Sequence, residues 1–184
     1  LTCNLTINSK VNVSNIASLN NTATNQTVTG FNNGVYYWNI TCWDKVNNTN
    51  TSETRNFTID TNIPIIRLDL PLNNTWQQSG QVIFQYTATD VNLKNCTLYG
   101  NFDGTWTANQ TNTTPNSGSK DSITLALNNG TYLWNVLCYD HAGNSAFNLT
   151  NYTLNIDTTE PNITVTSPVN TSYYPSNYLA ERKD

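Results

Sequence analysis

One stretch of this chain occurs twice, and everything else has to fold around it. From Leu127 the sequence runs L-N-N-G-T-Y-L-W-N-V-L-C-Y-D, and from Phe31 it runs F-N-N-G-V-Y-Y-W-N-I-T-C-W-D. Gly34 and Gly130, Trp38 and Trp134, Cys42 and Cys138, and Asp44 and Asp140 are each 96 apart. Within each copy the side chains alternate. Trp134, Val136 and Cys138 share one face, Leu133, Asn135, Leu137 and Tyr139 the other, and Trp38, Ile40 and Cys42 repeat the inner set. A period of two that leaves an Asn-Asn-Gly turn reads as a β-strand. Each strand runs into a turn, Asp140 to Asn144 in the second copy, which sends the chain back into an antiparallel neighbour.

The junctions repeat as well. I-D-T-N-I-P (Ile59 to Pro64) matches I-D-T-T-E-P (Ile156 to Pro161), now 97 apart, and P-I-I-R-L-D-L-P-L-N-N then matches P-N-I-T-V-T-S-P-V-N-T. The second copy is complete and defines the unit. Its expected strands are Pro64 to Leu70, Gln81 to Thr89, Asn95 to Tyr99, Asp121 to Leu127, the Trp strand, and Phe147 to Asp157. Pro71 to Gly80 reads as a loop, and Gly100 to Lys120 as a Gly/Asn/Thr-rich loop with one short strand near Trp106. No stretch shows a helical period. Short strands separated by turns over about 97 residues predict an all-β fold of tandem immunoglobulin-like antiparallel β-sandwiches, head to tail. A parallel solenoid would need far shorter repeats.

The expected division is 1–61, a domain lacking its first two strands; 64–158, a complete domain; and 161–184, the opening strands of a third repeat. A sandwich without two strands exposes an apolar face and an open edge. Two explanations fit. The chain is an excerpt of a longer tandem array, or Asn162 to Leu179 completes the first domain of the next identical subunit by donor-strand complementation. In the second case Ile163, Val165, Tyr173, Tyr174, Tyr178 and Leu179 form an inter-subunit strand. Either way the partners are identical subunits or further repeats in a linear polymer. The three tyrosines also resemble a sugar-stacking cluster, but an interface strand accounts for them better.

Composition narrows the setting. Charged residues are 11% of the chain, against about 25% in an average soluble domain, so Asn and Thr must supply the surface polarity. A net charge of −4 and a pI near 4.7 argue against nucleic acid or anionic membrane as a partner. There is no apolar run of membrane-spanning length within the segment, no signal peptide and no Met. The expectation is therefore a mature or excerpted segment, with any anchor outside it. Four cysteines fall at matching places, and Cys3–Cys42 and Cys96–Cys138 disulfides are the natural pairing, with reduced buried cysteines as the alternative. Loops of that size would stabilise each domain by about 4 kcal/mol in the chain-entropy model, in an extracellular or cell-surface setting.

Asn-X-Ser/Thr sequons point the same way. They stand at Asn4, Asn12, Asn20, Asn25, Asn39, Asn47, Asn50, Asn56, Asn73, Asn95, Asn109, Asn112, Asn129, Asn148, Asn151, Asn162 and Asn170. An Asn/Thr-rich chain makes many by chance, but those on strands alternate with the inward residues, the phase that glycan acceptors need. Glycans would also block the edge-to-edge pairing that weakly charged strands invite.

Taken together, the W-N-(V/I)-x-C-x-D strand, the D-x-x-G-N turn and the I-D-T-(T/N)-x-P junction resemble the immunoglobulin-like repeats of large archaeal, and some bacterial, cell-surface proteins. The resemblance implies a secreted, glycosylated, tandem-repeat structural protein. It differs from antibody-type domains in placing Trp and Cys on one strand, which points to a disulfide between neighbouring strands of one sheet. The first copy departs at Lys45 to Asn48, where it lacks the counterpart of Gly143.

Little supports chemistry. His141 is the single His and sits in a turn, so a nucleophilic triad has no footing. No Ca²⁺-binding loop is present. Asp60 with Asp90, or Asp157 at the other junction, are the carboxylates that could hold Ca²⁺ between domains, though turn capping explains them better. No cofactor is expected beyond N-linked glycans. The expectation is a non-enzymatic filament, stalk or sheath protein. An adhesin or carbohydrate-binding module contacting glycans through Trp106 is the alternative.

Overall fold

A computed structural model describes residues 1–167 and residue 173. Of the expected positions, Asn170, Tyr174, Tyr178 and Leu179 lie outside the described residues. Every described element is a strand. In chain order these are β1 (Thr2–Ile7), β2 (Lys10–Ala17), β3 (Gly34–Trp43), β4 (Thr49–Thr51) and β5 (Arg55–Ile59), then β6 (Ile65–Leu70), β7 (Thr75–Gln77), β8 (Gln81–Thr89) and β9 (Leu93–Gly100). β10 (Thr107–Asn112), β11 (Lys120–Ala126), β12 (Gly130–Asp140), β13 (Ser145–Phe147) and β14 (Tyr152–Ile156) complete the set.

β1 to β5 build one antiparallel sheet in the order β2-β1-β3-β4, with β5 also on β3. β6 to β14 build two layers. One is ordered β10-β9-β12-β14-β7 with β13 on β12, and the other β11-β8-β6. The layers close on one apolar core, an immunoglobulin-like β-sandwich. Val82, Phe84, Tyr86 and Ala88 from β8 meet Cys96, Leu98, Trp134, Val136, Cys138 and Leu154 from the opposite sheet, all fully buried. Period-two alternation is what makes this possible, since it puts every second side chain of β8 and β12 into the gap. Phe84 meets Trp134 edge-on at 4.9 Å between ring centroids. Trp134 Nε1 has no hydrogen-bond acceptor among the described residues.

The N-terminal sheet repeats the larger sandwich sheet except for β7, which has no counterpart in it. Cys3 faces Cys42 and Leu5 faces Ile40 across β1 and β3, as Cys96 faces Cys138 and Leu98 faces Val136 across β9 and β12. Both cysteine pairs are disulfides between adjacent strands, with Cα–Cα distances of 4.0 and 4.1 Å. Among the described residues no second sheet lies opposite the N-terminal sheet; Cys3, Leu5 and Ile7 of β1 are nonetheless buried, with Thr24 to Phe31 lining the same face, and it is the β3 side that stays open. Trp38, which belongs with Trp134 as a core residue by sequence, is therefore only half-buried, as are Ile40 and Cys42.

Three details differ from the sequence expectation. The Pro71 to Gly80 loop contains β7, which pairs in parallel with β14. The strand near Trp106 is six residues long, exposed over most of its length and on the edge. Asn135, placed by its phase on the outer face, is 2% exposed. The loop between β13 and β14 folds over it: Asn135 Nδ2 donates to Asn148 O (2.9 Å) and Asn151 Oδ1 (2.8 Å), and its Oδ1 accepts from Asn148 N (3.2 Å).

Candidate functional site

The junction between the N-terminal sheet and the sandwich is the most elaborated polar region. It is assembled from three local motifs that each copy carries. In the first motif the Asn of the N-N-G turn clasps the I-D-T segment leaving the last strand. Asn33 Oδ1 accepts from Thr61 N (3.1 Å) and Thr61 Oγ1 (2.9 Å), and Asn129 Oδ1 accepts from Thr158 N (3.0 Å) and Thr158 Oγ1 (2.7 Å). In the second, the Asp of I-D-T caps its own turn, Asp60 Oδ1 accepting from Asn62 N and Asp157 Oδ1 from Thr159 N.

The third motif closes the turn after the Trp strand. Asp44 accepts from Asn48 N and Nδ2 (3.0 and 2.9 Å), and Asp140 accepts from Asn144 N and Nδ2 (2.8 and 2.7 Å). Gly143 takes φ 95° there, and Asn47 takes φ 64° at the equivalent place. Asn tolerates the left-handed region, so the turn survives without its glycine.

At the junction these motifs meet. Asn92 Nδ2 donates to Asp60 Oδ2 (3.0 Å), and Asn144 Nδ2 donates to the Asp60 carbonyl oxygen (3.0 Å) while also holding Asp140. Carboxylate oxygens of Asp60, Asp90 and Asp140 all lie within 4.8 Å of one another. Asp140 is 1% exposed. Its burial alone would raise the pKa. The hydrogen bonds from the Asn144 side chain and from the backbone N–H groups of Asn144, Gly143 and Ala142 outweigh that and hold the carboxyl below its ordinary value. His141 lies beside Asp60 and Asn92, exposed, its N–H donating to Asn92 O.

Asp60, Asp90 and Asp140 are the side chains that could hold a hard cation, and the last of them was not among the carboxylates singled out by sequence. Ca²⁺ takes six to eight oxygens. Three carboxylates already engaged by asparagine amides are no more than a start on such a shell, and we assign no metal to them. Asp157, at the other junction motif, is exposed and shares no such cluster among the described residues.

Two surfaces stand away from the junction. The inner face of the N-terminal sheet is an open apolar groove of about 600 Å³, walled by Leu5, Ile7, Trp38, Ile40 and Phe57, with Val28 and Phe31 at its rim. On the outer face of the sandwich, Tyr99 sits 6.3 Å from Trp106 and 5.1 Å from Phe147 between ring centroids. Trp106 and Phe147 are 39% and 40% exposed.

The sequons divide by environment. Asn12, Asn20, Asn25, Asn47, Asn50, Asn56, Asn73, Asn109, Asn129, Asn151 and Asn162 are exposed, whereas Asn4, Asn39, Asn95, Asn112 and Asn148 are half-buried. Four have amide nitrogens already engaged. Asn39 donates to Thr54 Oγ1, Asn112 to the Tyr86 hydroxyl, Asn129 to Thr159 Oγ1 and Asn148 to Thr150 O. Burial pushes the Tyr86 hydroxyl up to about 12, Asp121 adding to the shift and the Asn112 bond opposing it. Of the expected inter-subunit strand, Ile163, Val165 and Tyr173 are described and exposed.

No protein-family model and no curated protein matches the chain. Among solved structures it is similar to the fibronectin(III)-like modules of Clostridium thermocellum CbhA, with a TM-score of 0.46 and 13% identity over 84% of this chain and 76% of that one. It is also similar to dimeric latent PorU from Porphyromonas gingivalis, with a TM-score of 0.40 and 15% identity over 86% of this chain and 16% of that one. The fold class stands on the sheets themselves: two layers, antiparallel apart from the β7–β14 pair, closed on one core, with a disulfide across neighbouring strands.

Proposed function

We propose that the chain is a non-enzymatic structural module of an extracellular or cell-surface filament, stalk or sheath, built from disulfide-bonded, N-glycosylated immunoglobulin-like domains joined head to tail. The observation that carries this reading is the direction of the junction. Ile156 leaves the sandwich beside Gly130, at one end of β12, while Asp60 arrives beside Asn144, just past the other end. Eleven residues of strand separate those ends, about 33 Å at the usual rise, so units joined in this way extend in line. The asparagine clasps limit bending at each joint. Disulfides resist unfolding and persist outside the cytosol. Among the described residues no helix is long and apolar enough to cross a membrane. The exposed sequons with unengaged amides are the favoured glycan carriers, and they would keep neighbouring polymers apart. Antibodies against the sandwich, applied to intact source cells under electron microscopy, should decorate surface filaments; purely intracellular labelling overturns the reading.

The second reading, an adhesin for neutral carbohydrate, draws on the exposed Trp106 and Phe147 rings with half-buried Tyr99 between them, since aromatic faces stack on sugars. Saturable glycan binding that disappears in Trp106→Ala would favour it over a purely mechanical role.

A further inference from the structure

Among the half-buried sequons, Asn4, Asn39, Asn112 and Asn148 have their amides in use. The last three donate through Nδ2, and Asn4 Oδ1 accepts from Asn15 N (3.0 Å). Asn95 differs: among the described residues neither of its amide atoms makes a hydrogen bond. Nor is it sealed in the core, since Trp134 Nε1 is the one buried side-chain nitrogen or oxygen there without a partner. The Asn95 amide is half-sheltered, unengaged and open to the outside.

The strand pattern gives that amide its surroundings. Cys96 points into the core, so Asn95, Thr97 and Tyr99 face outward along β9. Asn95 pairs with Tyr139 of β12, which sets their Cβ atoms about 5 Å apart on that face, and Tyr139 is 40% exposed. On the other side β9 loses its neighbour. β10 stays paired as far as Asn112, opposite Cys96, and then turns away, Thr114 N donating to Asn112 Oδ1 (3.0 Å). Its departure opens a recess of about 520 Å³ lined by Asn95 itself and by Leu93, Lys94, Thr113, Thr114, Pro115 and His141. That size falls within the usual range of small-molecule sites, about 300–1,000 Å³. Leu93 and Pro115 offer apolar surface to the C–H groups of a sugar ring, while the two threonine hydroxyls, Lys94 and His141 offer hydrogen-bond partners to its hydroxyls. None of the lining residues is a carboxylate.

We propose that Asn95 carries an N-linked saccharide whose first residue lies in this recess, with the Tyr139 ring at its edge. It rests on the N-glycosylated part of the reading above and makes carbohydrate a packed component of the sandwich at this point. In the attachment step Asn95 Nδ2 attacks the anomeric carbon of a phosphate-activated saccharide. The new N–C bond replaces the C–O bond, the departing phosphate keeps that bond's electron pair, and the amide gives up one proton. Attachment precedes the folding of β9, because strand pairing on both sides and the Cys96–Cys138 bond then hold the Asn-Cys-Thr segment extended.

Chain purified from its source cells, compared with an Asn95→Gln variant from the same cells, tests this. Glycopeptide mass spectrometry should find Asn95 occupied. In hydroxyl-radical footprinting Tyr139 and Pro115 should label at least about threefold more slowly in the unsubstituted chain than in Asn95→Gln, since labelling follows the side-chain area left in water. Trp106 and Phe147 should label equally in both. Thr97→Ala, which abolishes the sequon while keeping Asn95, should label as Asn95→Gln does. Asn56→Gln, which removes an exposed sequon on β5, should leave Tyr139 as slow as in the unsubstituted chain. An unoccupied Asn95 beside occupied sequons overturns the inference and leaves the filament reading standing. An occupied Asn95 with Tyr139 and Pro115 labelled equally in all these chains also overturns it, because the saccharide then projects into solvent. A chain with no sequon occupied overturns it together with the glycosylated part of that reading.

Discussion

The N-terminal sheet and the larger sheet of the sandwich share the register of the cysteine strand against the tryptophan strand, the cross-strand disulfide, the Asp–Asn turn and the asparagine clasp. They differ in what stands opposite. Trp134 is fully buried under β8, while Trp38 lines an open groove. β11 is a strand, while its first-copy counterpart is not. The comparison separates two kinds of determinant. Register, turns and caps are satisfied within one sheet by residues close in sequence or on adjacent strands. Core burial is satisfied only across sheets, so an identical strand has a different energetic role when the facing layer is removed.

Substitution of the two tryptophans should break the two copies apart most strongly. Trp134→Ala should destabilise the sandwich by about 3–5 kcal/mol, as for large aromatic deletions in a packed core. Trp38→Ala should cost about 1–2 kcal/mol in the free chain, because much of its area already faces water. Native-state hydrogen exchange at Val136 and Ile40 reads each effect separately. Equal costs would mean that the groove is covered in solution by the chain itself.

The disulfides should do the opposite and make the copies alike. Cys3–Cys42 spans 39 residues and Cys96–Cys138 spans 42, so the loop entropy removed from the unfolded chain is nearly the same. Double Cys→Ala replacement should cost about 2–4 kcal/mol in either copy, measured by the same exchange protection. A large asymmetry would show that the bond acts through native packing rather than through the unfolded state.

Much of this was legible in the sequence, and the reasons are specific. Alternation placed Trp134, Val136 and Cys138 inward because one face of β12 meets a core, and the repeated cysteines fixed the strand pairing. β7 was not legible. Thr75–Gln77 is three residues long with Trp76 69% exposed, too short for a period and paired in parallel to a strand about 80 residues away. β10 was foreseen only as a short strand, since its residues are nearly all polar and an edge strand needs no apolar face. Asn135 carried no sequence signal, because its burial comes from a loop folding over an outward position. Asp140 joined Asp60 and Asp90 through contacts between sequentially distant turns. The clue was present, in that the I-D-T segment and the D-x-x-x-N turn both recur, but their contact is made between copies rather than within one.

Below the disulfides in size come the asparagine clasps. Asn33→Ala and Asn129→Ala each remove an acceptor shared by a Thr backbone N–H and its hydroxyl, and should cost about 1 kcal/mol. The loss should appear as faster exchange at Thr61 and Thr158 with little change in either core. Equality is the sharp expectation, since the clasp geometry is common to both copies. An Asn33 effect much larger than the Asn129 effect would mean that the junction with the sandwich, which only the first clasp adjoins, supplies most of its strength.

The smallest effect is acid sensitivity, and here the copies should diverge again. Asp140 and Asp44 both titrate below the ordinary value of 3.8. For Asp140 burial opposes that shift, and the hydrogen bonds from Asn144, Gly143 and Ala142 overcome it; for Asp44 the side chain and backbone of Asn48 lead. A carboxyl whose pKa is depressed by folding contributes stability that is fully present above the unfolded value. That contribution is lost as pH falls through the folded one, so the window lies from about pH 4 downward. In the sandwich the buried Asp140 should produce a measurable acid limb in denaturant midpoints between pH 5 and pH 2. Asp140→Asn should flatten it. Asp44 lies where water screens its partners, so Asp44→Asn should leave the acid response of the N-terminal sheet nearly unchanged. If both substitutions flattened their limbs equally, the turn's own hydrogen bonds would account for the whole effect. Burial against the preceding unit through Asn144 and Asp60 would then add nothing to it.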